Sequence, residues 1–194
     1  MSTTTSALIG TTGATPGVLD GAPAGTWQID PAHSTVGFSV RHLISRVRGR
    51  FDEFAGQLTL AEDPAASSVR AEIAVASVHT GNPIRDEHLR TGDFFDAEQH
   101  PTMSFTSTGL RPTAAGWELA GDLTLRGTTR PVRITLEFLG FDPTGLMGEP
   151  RVGFAGRTVI RRSEFGVSFG LADGGKIVIG DEVEIILELQ AVPA

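Results

Sequence analysis

Apolar and polar residues alternate strictly along much of the chain, and this alternation limits the possible folds more than any other feature. Successive side chains of a β-strand point to opposite faces, so each alternating stretch predicts a strand with one buried face. The longer stretches are residues 36–42, 69–79, 117–125, 132–138 and 183–189. Shorter candidates are residues 47–51, 58–60, 103–107 and 152–162. About eight antiparallel strands separated by turns predict an all-β sandwich or closed barrel.

One segment between the strands has the signals of a helix. Asn82 is suited to cap a helix whose first residue is Pro83, and Asp86 falls in the first turn, near the positive end of the helix dipole. The helix is predicted to end near Gly92. The two phenylalanines at 94–95 then need burial, so we expect this segment to cover one end of a barrel.

The chain divides into a tail and a single domain. Residues 1–26 are rich in Ser, Thr, Ala, Gly and Pro, and such a composition cannot offset the entropy cost of ordering, so we expect a disordered tail. The alternating pattern runs through residues 27–192 without a second linker or a repeat. These residues are therefore predicted to form one domain.

Charge and composition narrow the possible partners. The net charge is -7, which disfavours binding to nucleic acid and to anionic membrane surfaces. Cysteine is absent, so disulfides and thiolate chemistry are excluded. No apolar run approaches the ~18 residues of a spanning helix, and the first residues lack the pattern of an export signal. We therefore expect a cytoplasmic protein that does not span a membrane.

Two further hypotheses remain open at this stage. His79, Asp86 and His88 lie close in sequence, and imidazole with carboxylate suits zinc or iron, so a metal-dependent enzyme acting on a small lipid is one alternative. Their spacing matches no known site. The other alternative is a β domain with a fully packed interior whose strand edges pair with a partner chain.

Polar residues interrupt the apolar faces of three strands. His42, His79 and Arg162 share the phase of their apolar neighbours and would lie near strand ends. Burying such a group is costly unless it is paired. These residues either lie at a solvated rim or border an opening into an apolar interior.

Several motifs together resemble one family. The first is Trp27-x-Ile29-Asp30-x-x-His33-Ser34. The others follow in order at residues 85–89, 93–96, 101–107, 121–127, 162–166 and 180–183. In this combination the chain resembles the YceI-like family of lipid- or polyisoprenoid-binding proteins.

The resemblance implies a lipocalin-like, extended eight-stranded antiparallel β-barrel with one short helix between strands. Its function would be to bind, sequester or transport a long-chain amphiphilic lipid, most simply a polyisoprenoid, in the barrel interior. It implies no enzymatic activity and no cofactor, and a homodimer is compatible with it.

The same resemblance leads to a hypothesis for the binding residues. The apolar tunnel would be lined by Phe38, Val40, Phe51, Leu58, Ile73, Val75, Phe94, Phe95, Met103, Phe105, Leu119, Leu123, Phe154 and Ile160. A polar or pyrophosphate head group would meet His42, His79, Arg85 and Arg162, since the arginine fork suits phosphate.

Overall fold

The computed structural model describes residue 19 and residues 21–114, 116–145, 148–170 and 178–194. Within them the helix is α1 (Pro83–Arg90), and short 3-10 turns form at Pro31–His33, Pro64–Ala66, Val75–Ser77 and Arg162–Phe165. The strands are β1 (Gly25–Ile29), β2 (Thr35–His42), β3 (Ser45–Phe51), β4 (Phe54–Leu60), β5 (Ser68–Ala74), β6 (Val78–His79), β7 (Thr102–Thr113), β8 (Gly116–Leu125), β9 (Thr128–Asp142), β10 (Arg151–Arg161) and β11 (Ile179–Pro193).

Three of the barrel's strands are interrupted. β1 and β2 pair one after the other with the same edge of β11, and the turn at Pro31–His33 separates them. In the same way β3 continues into β4, and β5 continues into β6. Counting each interrupted strand once gives a closed antiparallel barrel of eight strands, each bonded to its neighbours in sequence. The predicted lipocalin-like barrel is confirmed.

The predicted continuous strand at 69–79 is wrong in its middle. Val75–Ser77 form a 3-10 turn, in which the Ser77 hydroxyl donates to the carbonyl of Ala74 at 2.7 Å. The backbone amide of Asp52 donates to the Ser77 carbonyl. This hydrogen bond joins the turn to the short segment between β3 and β4. Local side-chain bonding of this kind competes with the strand ladder.

The helix follows its sequence signals. The Asn82 side chain accepts from the Arg85 amide at 3.2 Å, Pro83 occupies the first turn, and Thr91 caps the C-terminus. The prediction of one short helix between strands is confirmed, because capping and a proline at the start are local effects.

Two apolar clusters lie along the barrel, one at each end. The base cluster includes Trp27, Leu60, Trp117 and Val152, and the second cluster lies nearer α1. Leu19 is buried in the base cluster. Residues 1–18 and 20 lie outside the described residues, so the disorder of the tail stays a prediction.

Two glycines let inward-facing rings lie flat against the barrel wall. A Cβ on Gly49 would come within 2.5 Å of the Phe38 ring, and one on Gly121 would collide with the Phe105 ring. Glycine at these positions therefore sets how far both rings project into the interior.

The first sequence motif joins three strands at the base. Trp27 and Ile29 are buried, whereas the Asp30 carboxylate caps the 3-10 turn, accepts from His33 Nδ1 and pairs with Arg151 Nη1, both at 2.7 Å. The Ser34 hydroxyl accepts from the Gln190 amide of β11 at 2.9 Å. Hydrogen bonds to Arg151 and then His33 lower the pKa of Asp30 from 3.8 to about 2.

We predict that Asp30→Asn lowers the free energy of unfolding at neutral pH by about 1–2 kcal/mol. The depressed pKa of Asp30 adds stability that is complete above pH 3.8 and is lost as the pH falls toward 2. The variant should therefore approach the wild type in acid, as measured by urea unfolding across this pH range. Asp63→Asn is the matched control, because Asp63 caps a similar turn at Pro64–Ala66. A constant difference at every pH would contradict the prediction.

Candidate ligand-binding cavity

The barrel interior is hollow. An inner cavity of ≈ 150 Å³ lies toward the base, and an outer cavity of ≈ 600 Å³ lies beneath α1. Phe51, Met103, Ile160 and Ile185 contribute to the walls of both, so the two cavities are neighbours that share these side chains. The interior formed by the described residues is therefore not fully packed, as the alternative of a β domain with a filled core would require.

The inner cavity has hydrocarbon walls. Inward side chains of the barrel strands supply them, among them Leu58, Ile73, Phe105, Leu119 and Leu123. An apolar cavity of about 150 Å³ stays dry and accepts an apolar guest, because water finds no hydrogen-bond partners there. This cavity suits hydrocarbon.

The outer cavity opens at the rim of the barrel. Its lining includes Ile84 on α1, Phe169 after β10 and Val178 before β11, and all three side chains are exposed. Its volume is within the usual range for ligand pockets, about 300–1,000 Å³. A molecule in the outer cavity would thus touch both apolar walls and solvent.

Three rings form an aromatic group at the opening: His88, Phe94 and Phe169. The His88 ring makes edge contacts with Phe94 and with Phe169, each with centroids 5.0 Å apart, and Phe94 lies 5.2 Å from Phe169. His88 Nε2 is 2.9 Å from Asp93 Oδ2, and Arg126 Nη1 donates to the Phe94 carbonyl at 2.8 Å. Phe94 and Phe95, which the sequence predicts to cover one end of the barrel, therefore lie at the opening, where the Phe94 ring packs against Phe169.

A hydrogen-bonded set holds Arg85 at the cavity wall. The buried Asp86 carboxylate accepts from the amide and the hydroxyl of Thr80. Arg85 Nε donates to the Thr80 hydroxyl at 2.7 Å, and its Nη2 donates to the Thr80 carbonyl at 2.9 Å. No carboxylate of the described residues lies within 4.0 Å of this guanidinium. Arg85 is therefore oriented and keeps donors for an anion.

Arg162 has a different role. It is buried, and its guanidinium donates to the carbonyls of Gly180, Val167, Phe169 and Ile179 at 2.8–3.1 Å. Burial lowers the pKa of Arg162, while the Asp181 carboxylate opposes the shift. Four of the five N–H groups of an arginine are thus spent on backbone carbonyls. Arg162 fixes the rim of the outer cavity.

The structure brings most of the predicted site residues to the cavity walls. Val75 is the exception among the tunnel residues, because its 3-10 turn buries it in the cluster beside the cavity. Of the predicted head-group residues, His42, Arg85 and Arg162 line the outer cavity. His79 does not: it is 46% exposed, with Nδ1 3.8 Å from Asp86 Oδ2.

The thirteen predicted tunnel residues that line a cavity fall into three sets. Those of the inner cavity are Leu58, Ile73, Phe105, Leu119, Leu123 and Phe154; those of the outer cavity are Phe38, Val40, Phe94 and Phe95; those of both are Phe51, Met103 and Ile160.

Sequence reasoning missed several outer-cavity residues. Val183 and Ile185 lie in the predicted strand at residues 183–189, and their phase in the alternation indicates that they point inward. From the sequence, His88 is predicted as a candidate metal ligand and as part of the family motif at residues 85–89, and not as a cavity residue. Phe169 lies in an irregular segment after a 3-10 turn, where no periodicity exists to place it.

The metal alternative finds no support in the geometry. Among the described residues, no three His, Cys, Asp or Glu side chains converge as a metal site would require. The carboxylate of Asp86 is occupied by Thr80, and His88 contacts Asp93 instead of His79.

Across the described part of the chain, no helix is both long and apolar enough to cross a bilayer.

A closed antiparallel barrel with a hollow apolar interior and a polar rim defines this molecule. Residues 27–191 match the YceI-like domain, and the chain belongs to the YceI-like family. A UPF0312 protein of Pseudomonas paraeruginosa is 34% identical over 177 residues, which cover 88% of each chain.

Solved structures share the fold. The crystal structure of Burkholderia cenocepacia BcnA superposes with a TM-score of 0.72 at 24% identity, covering 84% of this chain and 98% of that one. A polyisoprenoid-binding domain from Saccharophagus degradans superposes with a TM-score of 0.67 at 17% identity, covering 89% of this chain and 100% of that one.

We predict that Arg162→Gln lowers the free energy of unfolding by about 3 kcal/mol, because buried carbonyls lose their donors. The neighbouring Arg161 is exposed, so Arg161→Gln should leave stability within about 0.5 kcal/mol of the wild type. Urea unfolding followed by tryptophan fluorescence measures both. Equal stability of the two variants would show that the carbonyl contacts of Arg162 contribute nothing.

Proposed function

We propose that the protein binds a long-chain amphiphilic lipid, a polyisoprenoid, with its hydrocarbon tail in the outer cavity and extending past the shared side chains into the inner cavity. The hollow, hydrocarbon-lined interior is the observation that carries this proposal. The domain from Saccharophagus degradans that shares this fold is described as polyisoprenoid-binding, which adds support.

Burial of the tail supplies the affinity. Each methylene removed from water contributes about 0.8 kcal/mol, so a tail of ten carbons gains about 8 kcal/mol before the cost of ordering it. Met103 and Ile160 line both cavities, so a tail that passes them fills the inner cavity as well. Affinity should therefore rise with chain length until the inner cavity is occupied.

The head group would lie at the rim, near Arg85. Its guanidinium is held by Thr80, and a phosphate or pyrophosphate could accept from the donors that Thr80 leaves unused. His42 lies on the same cavity wall. Arg162 would act indirectly, by holding the rim segments around the head group.

The same features support binding over catalysis. Two of the titratable side chains that line the outer cavity are engaged with other protein groups: His88 with Asp93, and Arg162 with four backbone carbonyls. A group held in this way orients the rim, whereas a general base needs an oriented substrate proton within reach.

The location of the lipid's hydrocarbon tail can be tested by titrating the delipidated full chain with isoprenoid alcohols of increasing length. Geraniol, farnesol and geranylgeraniol should bind with successively higher affinity, about tenfold or more for each added isoprene unit. Trp117 lines the inner cavity, so its fluorescence reports when a tail reaches that depth. Ile73→Glu should abolish binding because it places a charge on the inner wall.

Val159→Glu is the matched control, because Val159 lies in β10 and is 58% exposed. It should bind geranylgeraniol like the wild type. Met103→Trp, which fills the junction without adding charge, should cut affinity for geranylgeraniol more than for geraniol. Undiminished binding of geranylgeraniol to a folded Ile73→Glu protein would refute the location of the tail.

The head-group prediction compares geranylgeranyl pyrophosphate with geranylgeraniol. Arg85→Gln should weaken binding of the pyrophosphate about tenfold and leave binding of the alcohol unchanged, because a charge-assisted hydrogen bond is lost. Calorimetric titration measures both. An equal loss for the two ligands would assign Arg85 a purely structural role.

A further inference from the structure

The tip of the hairpin between β2 and β3 exposes two large apolar side chains. His42 pairs with Ser45, so Leu43 and Ile44 form a two-residue turn, and Ile44 is 100% exposed. Leu43 has a φ of 53°, a left-handed conformation in which Asn or Gly is favoured. Leu43 therefore strains the backbone, and both side chains expose apolar surface to solvent, so neither residue stabilises the hairpin.

Arginines cover the outer face of the same hairpin. Arg41, Arg46, Arg48 and Arg50 alternate with inward residues, and Arg41 lies directly opposite Arg46. Like charges in this position destabilise a strand pair. The hairpin therefore combines two unfavourable features at one place.

Nearby carboxylates neutralise only part of this charge. Glu184 lies 3.8 Å from Arg46 and is shared with Arg157 at 3.4 Å, and Asp52 pairs with Arg50 at 2.6 Å. For Arg41 and Arg48, no carboxylate of the described residues lies within 4.0 Å. The hairpin is thus locally basic although the chain carries a net charge of -7.

This basic, apolar-tipped hairpin borders the opening of the outer cavity. His42 and Val47 on its inner face line that cavity, and the amide of Leu43 donates to the Val178 carbonyl at 2.9 Å. Ile84 of α1, which is 85% exposed, lies at the same opening. Exposed apolar side chains and positive charge therefore coincide where a ligand would pass.

We propose that this end of the barrel docks on an anionic phospholipid bilayer, with Leu43 and Ile44 inserted among the head groups and the arginines on the lipid phosphates. The proposal rests on the lipid-binding function above, since a lipid dissolved in a bilayer could then pass into the barrel without crossing water. Overall net charge disfavours such a contact, but screening limits charge effects to about 10 Å, so the local arginines govern it. The apolar tip favours a bilayer over nucleic acid, which offers no apolar phase to a protruding isoleucine.

The test is co-sedimentation of the full chain with vesicles. The protein should bind vesicles of phosphatidylcholine mixed with phosphatidylglycerol at low salt, bind weakly at high salt, and not bind vesicles of phosphatidylcholine alone. Arg41→Gln should weaken binding about fivefold, the contribution of one basic residue near an anionic surface, and Ile44→Ser should weaken it tenfold or more.

Matched controls come from the base of the barrel. Leu139 is 55% exposed and Arg111 is 63% exposed, and neither lies at the opening, so Leu139→Ser and Arg111→Gln should bind vesicles like the wild type. Equal losses in the controls, or undiminished binding of Ile44→Ser, would overturn the docking surface.

Geranylgeraniol binding in the absence of vesicles separates this proposal from the proposed function. Ile44→Ser should keep wild-type affinity, since Ile44 is not part of the cavity walls. A wild-type protein that binds geranylgeraniol but sediments with neither vesicle overturns docking alone. Failure to bind geranylgeraniol contradicts the proposed function even if sedimentation succeeds. Arginine-dependent binding to duplex DNA without vesicle binding also overturns docking.

Discussion

Closure of the barrel depends on the pairing of β11 with both halves of an interrupted strand. On one edge β11 pairs with β10, and on the other it pairs with β2 and then with β1. Between β1 and β2 the backbone ladder is broken. Side-chain hydrogen bonds replace it there, from Arg151 to Asp30 and from the Gln190 amide to Ser34. Because the sheet closes in this way, its apolar faces enclose a space that side chains alone do not fill.

The rim is held in shape by its own hydrogen bonds. Asp86 accepts from Thr80, and Arg162 donates to carbonyls of the segments at 167–169 and 179–180. These buried polar groups are satisfied within the described residues. Their partners come from the protein, so the opening is preorganised and a ligand need not order it on arrival.

Much of the fold could be predicted from the sequence because period two and helix capping are local. Phe38, Phe105 and Ile160 were correctly placed inward on their phase alone. The 3-10 turn at Val75–Ser77 could not be predicted, since part of its hydrogen bonding comes from Asp52 and Glu53, which lie between β3 and β4. Arg162 was correctly placed at the cavity, but the carbonyls that occupy it belong to the irregular segment at 167–169 and to the start of β11. Hollowness could not be predicted either, because alternation is the same in a filled barrel.

The aromatic group of His88, Phe94 and Phe169 bears on how fast a molecule could enter and leave the barrel. The barrel walls set how favourable it is for a molecule to be inside, whereas these rings border the opening through which it would leave. Side chains can rotate far faster than a barrel can unfold. Substitutions at these three rings would therefore change how fast a bound molecule enters and leaves, together with the part of the cavity wall that the rings themselves supply.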